Sequence, residues 1–317
     1  MQMNNIPNKA NSCIYILSGR PYMLEECVER LYDFYNFKHN FPLFIYFFDD
    51  LYLNNKNRKI ADKIIKKHNV KFISIKTEIP KHINYRDLYF FKDYPYVKKS
   101  FGPERVNFLH MNHFLTNSNN KPELDKFRYH HRLDDDVFVN KKINNNLFEI
   151  MISGDYKLAT SSLWNKYTPN QRDTRINLFK YYKNYISKNN ITPSNDLLRS
   201  SIETNNEKLF HHLKWSSGHF NLYDQKYLRD SNRWKEFIKS INNYGGIFKY
   251  RWGDLEIIGL FLYTFFQNPK LDLKLKNDGF ITDYAGNAKV VININPLNYY
   301  IKKIYRKLRY QIIEKIS

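Results

Sequence analysis

Read from its amino end, the chain alternates short apolar runs with stretches of helical period. Cys13 to Ser18 is apolar and β-rich, Gly19-Arg20-Pro21 interrupts it, and apolar residues then recur at Leu24, Val28, Leu31 and Tyr35 within Tyr22 to Phe37. This pattern predicts strand, loop and helix. Phe41 to Phe48 is almost continuously apolar and ends in Asp49-Asp50, as a strand covered on both faces of a parallel sheet does. Lys56 to His68 predicts a helix and Val70 to Ile75 a third strand. Such alternation predicts an α/β fold, a Rossmann-like sheet flanked by helices.

Further along, His82 to Ser100 is aromatic and charged without a period, the pattern of an irregular excursion or a loop over a site. Glu104 to Asn117 predicts a helix and Phe127 to Leu133 a strand, with Asp134-Asp135-Asp136 where that strand ends. Ligands of open α/β sheets gather outside the carboxyl ends of strands, which is where this acidic run falls. Leu147 to Ile152 predicts a helix, Lys157 to Ser162 a strand, and Arg175 to Lys188 an amphipathic helix. Asn189 to Ser201 is polar, contains Pro193, and is expected to be a loop or insertion. A strand is predicted over His219 to Tyr223, a helix over Gln225 to Asn242 closed by Gly245-Gly246, and another over Asp254 to Phe266. Asn298 to Ile316 interleaves Lys302, Lys303, Arg306, Lys307 and Arg309 with apolar residues. It predicts a basic amphipathic helix, which either docks on the domain or lies on an anionic membrane surface. The expected organisation is one domain over residues 1–297 followed by this helix over 298–317.

With 317 residues, 42% hydrophobic and 17% aromatic, the chain can bury a large core, which excludes general disorder. Met1 to Ala10 is polar, so no signal peptide is expected. No apolar run reaches the roughly 18 residues that a membrane span needs. A soluble protein is expected, cytoplasmic or peripheral to a membrane. Two cysteines, Cys13 and Cys27, support neither a disulfide framework nor a thiolate metal site and fit a reducing compartment. The net charge of +20 favours anionic partners such as nucleotide diphosphates, acidic glycans, nucleic acid or lipid head groups. It does not choose among them, and abundant Lys, Asn, Ile and Tyr together are equally what a coding bias produces. The aromatics are spread through apparent core strands rather than interleaved with lysines in one patch, so no specific nucleic acid is expected.

Carboxylates two residues apart on an extended strand end point to one side, so Asp134 and Asp136 are placed to share a divalent cation, with Asp135 facing away or binding a sugar hydroxyl. Hard cations take oxygen ligands, and a sugar-nucleotide transferase needs one because departure of a nucleoside diphosphate develops charge that Mn²⁺ or Mg²⁺ neutralises. The plainer reading is a solvated acidic turn. The half-apolar strand before it, Tyr129 to Leu133, favours the metal. A second cluster runs from Gly245-Gly246 to Arg251-Trp252-Gly253-Asp254. Trp252 offers a flat face for a sugar ring, and Asp254 stands at a helix start either as an acceptor-binding or catalytic carboxylate or as a cap. His110 and His113 share a helical face, but no further ligand of suitable spacing makes them a zinc site, which leaves nucleotide contact or packing.

On these residues the chain resembles the fungal α-1,2-mannosyltransferases of glycosyltransferase family 15. Arg251-Trp252-Gly253-Asp254 after Gly245-Gly246 looks like the corresponding segment of that family. His110-Met111-Asn112-His113-Phe114 resembles its Gln-Met-Cys-Arg-Phe stretch, and Arg132-Leu133-Asp134-Asp135-Asp136-Val137 its Arg-Val-Glu-Pro-Asp-Val metal motif. The order agrees from about Cys13 to Asp283. The resemblance implies a GT-A fold, GDP-mannose as donor, Mn²⁺ as metal, a glycan or glycoconjugate acceptor, and retention of configuration. Asp134 and Asp136 then match the family's metal motif and Asp254 its Arg-Trp-Gly-Asp aspartate, while Phe108 stands where the family has a tyrosine. A GT-A domain receives its nucleotide after the first strand, at Ser18, Gly19 and Arg20, where Arg20 would pair a phosphate. Asp50, at the end of the second strand, would bind base or ribose.

Two departures bear on the chemistry. Counting from Trp215 along the segment that resembles the family's Trp-Ser-Asn-Phe-Glu run puts His219 where the family has its candidate nucleophilic glutamate. His219 is either a replacement in the chemistry or a hydrogen-bonded structural residue. The family's metal-binding histidine follows a Gly-Tyr pair, whereas this chain has Gly279-Phe280-Ile281-Thr282-Asp283, leaving Asp283 as the nearest ligand. The expectation is a metal-dependent glycosyltransferase, with transfer of a different sugar as one alternative. A non-catalytic basic protein that binds nucleic acid or anionic membrane is the other.

Overall fold

The computed structural model describes residues 11–49, 51–52, 54–88, 106–117, 121–164 and 175–283. Its strands are β1 (Ser12–Ser18), β2 (Leu43–Phe48), β3 (Val70–Ile75), β4 (Tyr129–Asp134), β5 (Val137–Val139), β6 (Leu158–Thr160), β7 (Leu163–Trp164), β8 (Trp215–Ser216), β9 (Phe220–Asp224), β10 (Lys270–Asp272) and β11 (Ile281–Asp283). A seven-stranded sheet has the order β10-β6-β9-β4-β1-β2-β3. Strands β4, β1, β2 and β3 run parallel. The single reversed strand is β9, antiparallel to both β4 and β6. This mixed sheet with helices on its faces is the GT-A-like architecture that the resemblance implies.

Alternation along the central strands fills two cores at once. Ile14 and Ile16 of β1 with Leu43, Ile45 and Phe47 of β2 face one apolar cluster, while Cys13 and Tyr15 with Phe44 and Tyr46 face another. The first face is covered by α1 (Pro21–Leu31), through Met23, Leu24, Cys27, Val28 and Leu31, and by α2 (Asn55–Lys67), through Ala61 and Ile64. The second is covered by α3 (Val106–Thr116), which contributes Phe114 and Leu115. Beyond α4 (Leu147–Ser153), a further cluster packs together α5 (Leu178–Lys188), α7 (Asn232–Tyr244), α8 (Gly246–Tyr250) and α9 (Asp254–Phe265), with α6 (Asp196–Glu203) contributing Leu198.

Three elements differ from the sequence expectation, each through a polar side chain. The helix expected through Phe37 reaches His39 but is not α throughout, because Tyr32–Asn36 widens to a π turn before Phe37–His39 returns to α, and beyond it the Asn36 amide bonds Phe41 N and O at 2.8 and 3.0 Å. The segment expected to be loop over Asn189 to Ser201 contains the start of α6, whose first turn is capped by Asn195 accepting from Leu198 N at 3.0 Å. The helix expected from Gln225 begins at Asn232. Asp224 caps a 3₁₀ turn at Gln225–Tyr227, and Ser231 starts the α-helix by accepting from Trp234 N. Gly245, at φ +76°, ends α7 in the left-handed conformation that glycine adopts without strain. The amphipathic helix expected over 298–317 lies outside the described residues. Among those described, no helix is long and apolar enough to cross a membrane.

Strand β4 carries two fully buried histidines. His130 Nε2 donates to the Leu124 and Phe127 carbonyl oxygens, both at 3.1 Å, whereas His131 lies against Phe220 and Tyr35 with neither ring nitrogen hydrogen-bonded among the described residues. Burial lowers their pKa values to about 4 and about 3, and that of His113 on α3 to about 4. Groups whose folded pKa is depressed bind more protons unfolded, so stability rises with pH through the interval between the two values. The stabilising neutral form is complete above about pH 6.5 and is lost as pH falls toward 4. Each of these histidines is expected to cost about 2 kcal/mol at pH 5 relative to pH 7. Urea unfolding across that range should show the fall, and His131→Phe should reduce its slope.

Candidate metal centre

The antiparallel pairing of β4 with β9 brings the end of one strand beside the start of the other. Leu133 pairs with Phe220, and Asp134 N donates to His219 O at 3.1 Å. Asp134, Asp136 and His219 each present a ligand atom there, all within 4.8 Å of one another. His219 Nδ1 stands 3.5 Å from Asp134 Oδ2. Asp136 is 5% exposed, and its Oδ1 has no hydrogen-bond partner among the described residues. Two carboxylates and one imidazole make an oxygen-rich donor set suited to Mn²⁺ or Mg²⁺.

Asp135 points the other way. Its Oδ2 accepts from Gly19 N and Arg20 N at 2.7 Å each and from Ser18 Oγ at 3.3 Å, and its Oδ1 accepts from Arg20 Nε at 2.7 Å. Both oxygens are therefore engaged inside the protein, which is the first of the two alternatives for Asp135, facing away from the shared cluster. The same bonds tie down the loop after β1. Ser18 is fully buried, its hydroxyl also paired with Tyr52 Oη at 2.7 Å, and Arg20 is ion-paired to Asp135 and to Asp136 at 2.6 and 2.5 Å. Ser18, Gly19 and Arg20 thus clamp the acidic turn. Arg20 keeps 40% of its side chain exposed at the edge of the cluster.

Arg132 lies behind the cluster, 2% exposed, in a role the sequence reading did not assign. Its Nη2 reaches Asp134 Oδ1 at 3.1 Å, and its Nη1 is bound to Asp254 Oδ2. The acidic turn and the Arg-Trp-Gly-Asp segment thus meet on one guanidinium. Against the upward push of burial, Arg132 holds the Asp134 carboxyl well below the usual carboxylate range, with His219 and Arg20 adding to the effect. Burial pushes Asp136 the other way, to about 6, with Arg20 opposing and the two neighbouring aspartates adding to the rise. Burial likewise lifts Asp254 to about 6 against the pull of Arg132.

Asp254 is the first residue of α9, which has no side-chain cap, and its Oδ2 accepts from Arg132 Nη1. The expectation for Trp252 is corrected. It is 0% exposed, donates from its indole N–H to Ile176 O at 2.6 Å, and stacks between aromatic rings, so it offers no face to a sugar at this centre. His110 and His113 pack around Phe248 at centroid distances of 5.6 and 5.4 Å, which is the packing alternative. Half-buried Phe108 lies under the Arg251 guanidinium at 4.4 Å. Asp283 pairs through its backbone with Val137, the residue after Asp136, while its side chain lies outside the described residues, as does Asp50. Arg132 was legible only as a charged residue in an apolar strand, a combination that demands buried partners.

A family model described as glycolipid 2-alpha-mannosyltransferase matches residues 1–283. The chain belongs to this family of glycosyltransferases, as the resemblance implies. It is 24% identical over 271 residues to "Probable mannosyltransferase MNT3" of Candida albicans, a match that covers 84% of this chain and 68% of the relative. The fold is similar to the X-ray structure of the mannosyltransferase Ktr4p from S. cerevisiae in complex with GDP, at TM-score 0.66 and 19% identity, over 82% of this chain and 68% of that one. It is also similar to core-mannan synthase A (CmsA/Ktr4) from Aspergillus fumigatus in its Mn/GDP form, at TM-score 0.62 and 16% identity, over 80% and 70% of the two chains.

Removing Arg132 leaves two carboxylates without their buried counter-charge. Arg132→Met is expected to destabilise the protein by about 3–5 kcal/mol, and adding Asp254→Asn should recover part of that loss. Denaturant midpoints of the single and double variants measure both effects.

Proposed function

We propose that the chain transfers a mannosyl group from GDP-mannose to a hydroxyl of a glycan or glycoconjugate, with Mn²⁺ held by Asp134, Asp136 and His219. The observation that carries this reading is the convergence of two carboxylates and an imidazole at the carboxyl end of β4, where α/β sheets bind ligands. The family supports the reaction class. The GDP and the Mn/GDP named for the two structures of similar fold support the donor and the metal.

The residues fit such a cation. The unpartnered Asp136 Oδ1 and the raised Asp136 carboxyl both mark negative charge that the protein leaves partly uncompensated. When bound, the cation neutralises charge that develops on the departing diphosphate. The chain's own groups supply the rest. Asp135 locks the turn to the β1–α1 loop, so that Asp134 and Asp136 keep their spacing. Arg132 fixes the Asp134 carboxylate, and Asp254 positions Arg132 in turn. Arg20, half exposed at the edge of the cluster, adds positive charge where an anionic donor arrives. With His219 as a ligand, that position supplies no carboxylate nucleophile. If configuration is retained, departure and attack on one face of the sugar, assisted by the donor phosphate, is the path open to this chain.

This reading expects the doubly substituted Asp134→Ala, Asp136→Ala protein to lose Mn²⁺-dependent turnover of GDP-mannose. His219→Ala should raise the Mn²⁺ concentration for half-maximal turnover at least about tenfold. Both are read from GDP release during a metal titration. Undiminished turnover in the double variant would remove the proposed centre.

A further inference from the structure

Helices α5 and α7 enclose an open groove of about 600 Å³, within the roughly 300–1,000 Å³ of small-ligand sites. Its wall carries four tyrosines, Tyr181, Tyr185, Tyr244 and Tyr250, alongside the amides of Asn177 and Asn184. Tyr244 is 39% exposed and lies nearly parallel to buried Trp252, with centroids 5.4 Å apart and planes at 13°. Tyr250 is inclined 25° to Tyr244 and 24° to Trp252. Trp252 is anchored by its bond to Ile176 O, and within the wall Tyr181 Oη is tied to Ser240 Oγ at 2.7 Å. The aromatic platform is thus fixed before any ligand arrives, which lowers the ordering cost of binding.

We propose that this groove binds a neutral oligosaccharide, with a pyranose ring stacked on Tyr244 and its hydroxyls bonded to Asn184 and neighbouring amides. A pyranose combines an apolar face of C–H groups with a rim of hydroxyls, and a tyrosine face beside amides offers the matching surfaces. Asn184 is exposed and makes no side-chain hydrogen bond among the described residues, leaving its donors and acceptor for a ligand. A single-stranded nucleic acid would also stack on tyrosine, but it calls for unopposed positive charge, and Glu236 stands in this groove with Lys180 and Lys188. The groove is separate from the metal centre yet close to it in the chain. Trp252 lies two residues before Asp254, at most about 7.6 Å between Cα atoms. The choice of mannose as the sugar rests on the function proposed above, whereas the stacking and amide chemistry does not.

The test is calorimetric titration of the full chain with α-linked mannotriose, without GDP-mannose or metal, so that binding is read independently of transfer. Saturable binding is expected. Tyr244→Ala should weaken it about tenfold, equivalent to about 1.4 kcal/mol, with Tyr244→Phe restoring it. The exposed Asn184→Ala, which cannot disturb the core, should weaken it measurably too. Asp134→Ala with Asp136→Ala should leave it unchanged. The proposal is overturned by absence of saturable binding at millimolar trisaccharide, by indifference to both groove substitutions, or by loss of binding in the Asp134/Asp136 variant. Tighter, salt-sensitive binding of poly(U) RNA that displaces the trisaccharide would likewise overturn it.

Discussion

Three consecutive aspartates at a strand end can enter a protein interior only if positive charge accompanies them, and here two arginines reach them from opposite sides. Arg20 approaches from the loop after β1 and grips Asp135 and Asp136. Arg132 approaches from within β4 and holds Asp134 against Asp254. Neither arginine is replaceable by packing, because a carboxylate left buried without its partner carries a penalty of several kcal/mol. The local backbone, the entry of α1 and the start of α9 are all fixed by these contacts. The clamp is asymmetric. It satisfies Asp135 completely and leaves Asp136 with one oxygen unpartnered among the described residues, facing the space shared with His219.

Much of this architecture is legible in the residues because the sheet is built from long, unambiguous strands. β2 and β3 read directly from apolar runs bounded by polar residues, and β1 from a run followed by Gly-Arg-Pro. What misled the reading was side-chain hydrogen bonding. Asn195 and Ser231 act as caps in stretches that look like loop or continuous helix, and Asn36 diverts a helix by bonding a residue five positions on. Such bonds leave hydrophobic periodicity unchanged, so a reading based on period cannot see them.

At the site, the spacing of Asp134 and Asp136 correctly suggested one shared side, since both join the same cluster. The sequence leaves the third member, His219, either as a replacement in the chemistry or as a hydrogen-bonded structural residue. Its position beside Asp134 depends on β9 running antiparallel to β4, a matter of topology that no local window contains. The same limit explains Trp252. A tryptophan between glycines and an aspartate resembles a sugar platform, but whether its ring faces solvent depends on Tyr181, Tyr244 and Tyr250, which surround it from the three helices α5, α7 and α8.

The reversal of β9 also shapes how the protein comes together. Because the imidazole arrives from a segment far downstream of the aspartates, the cluster cannot exist until the centre of the sheet has closed around β4, a long-range pairing that chains generally reach late. The convergence of Asp134, Asp136 and His219 is therefore a property of the finished sheet, absent from any form in which β9 has yet to pair.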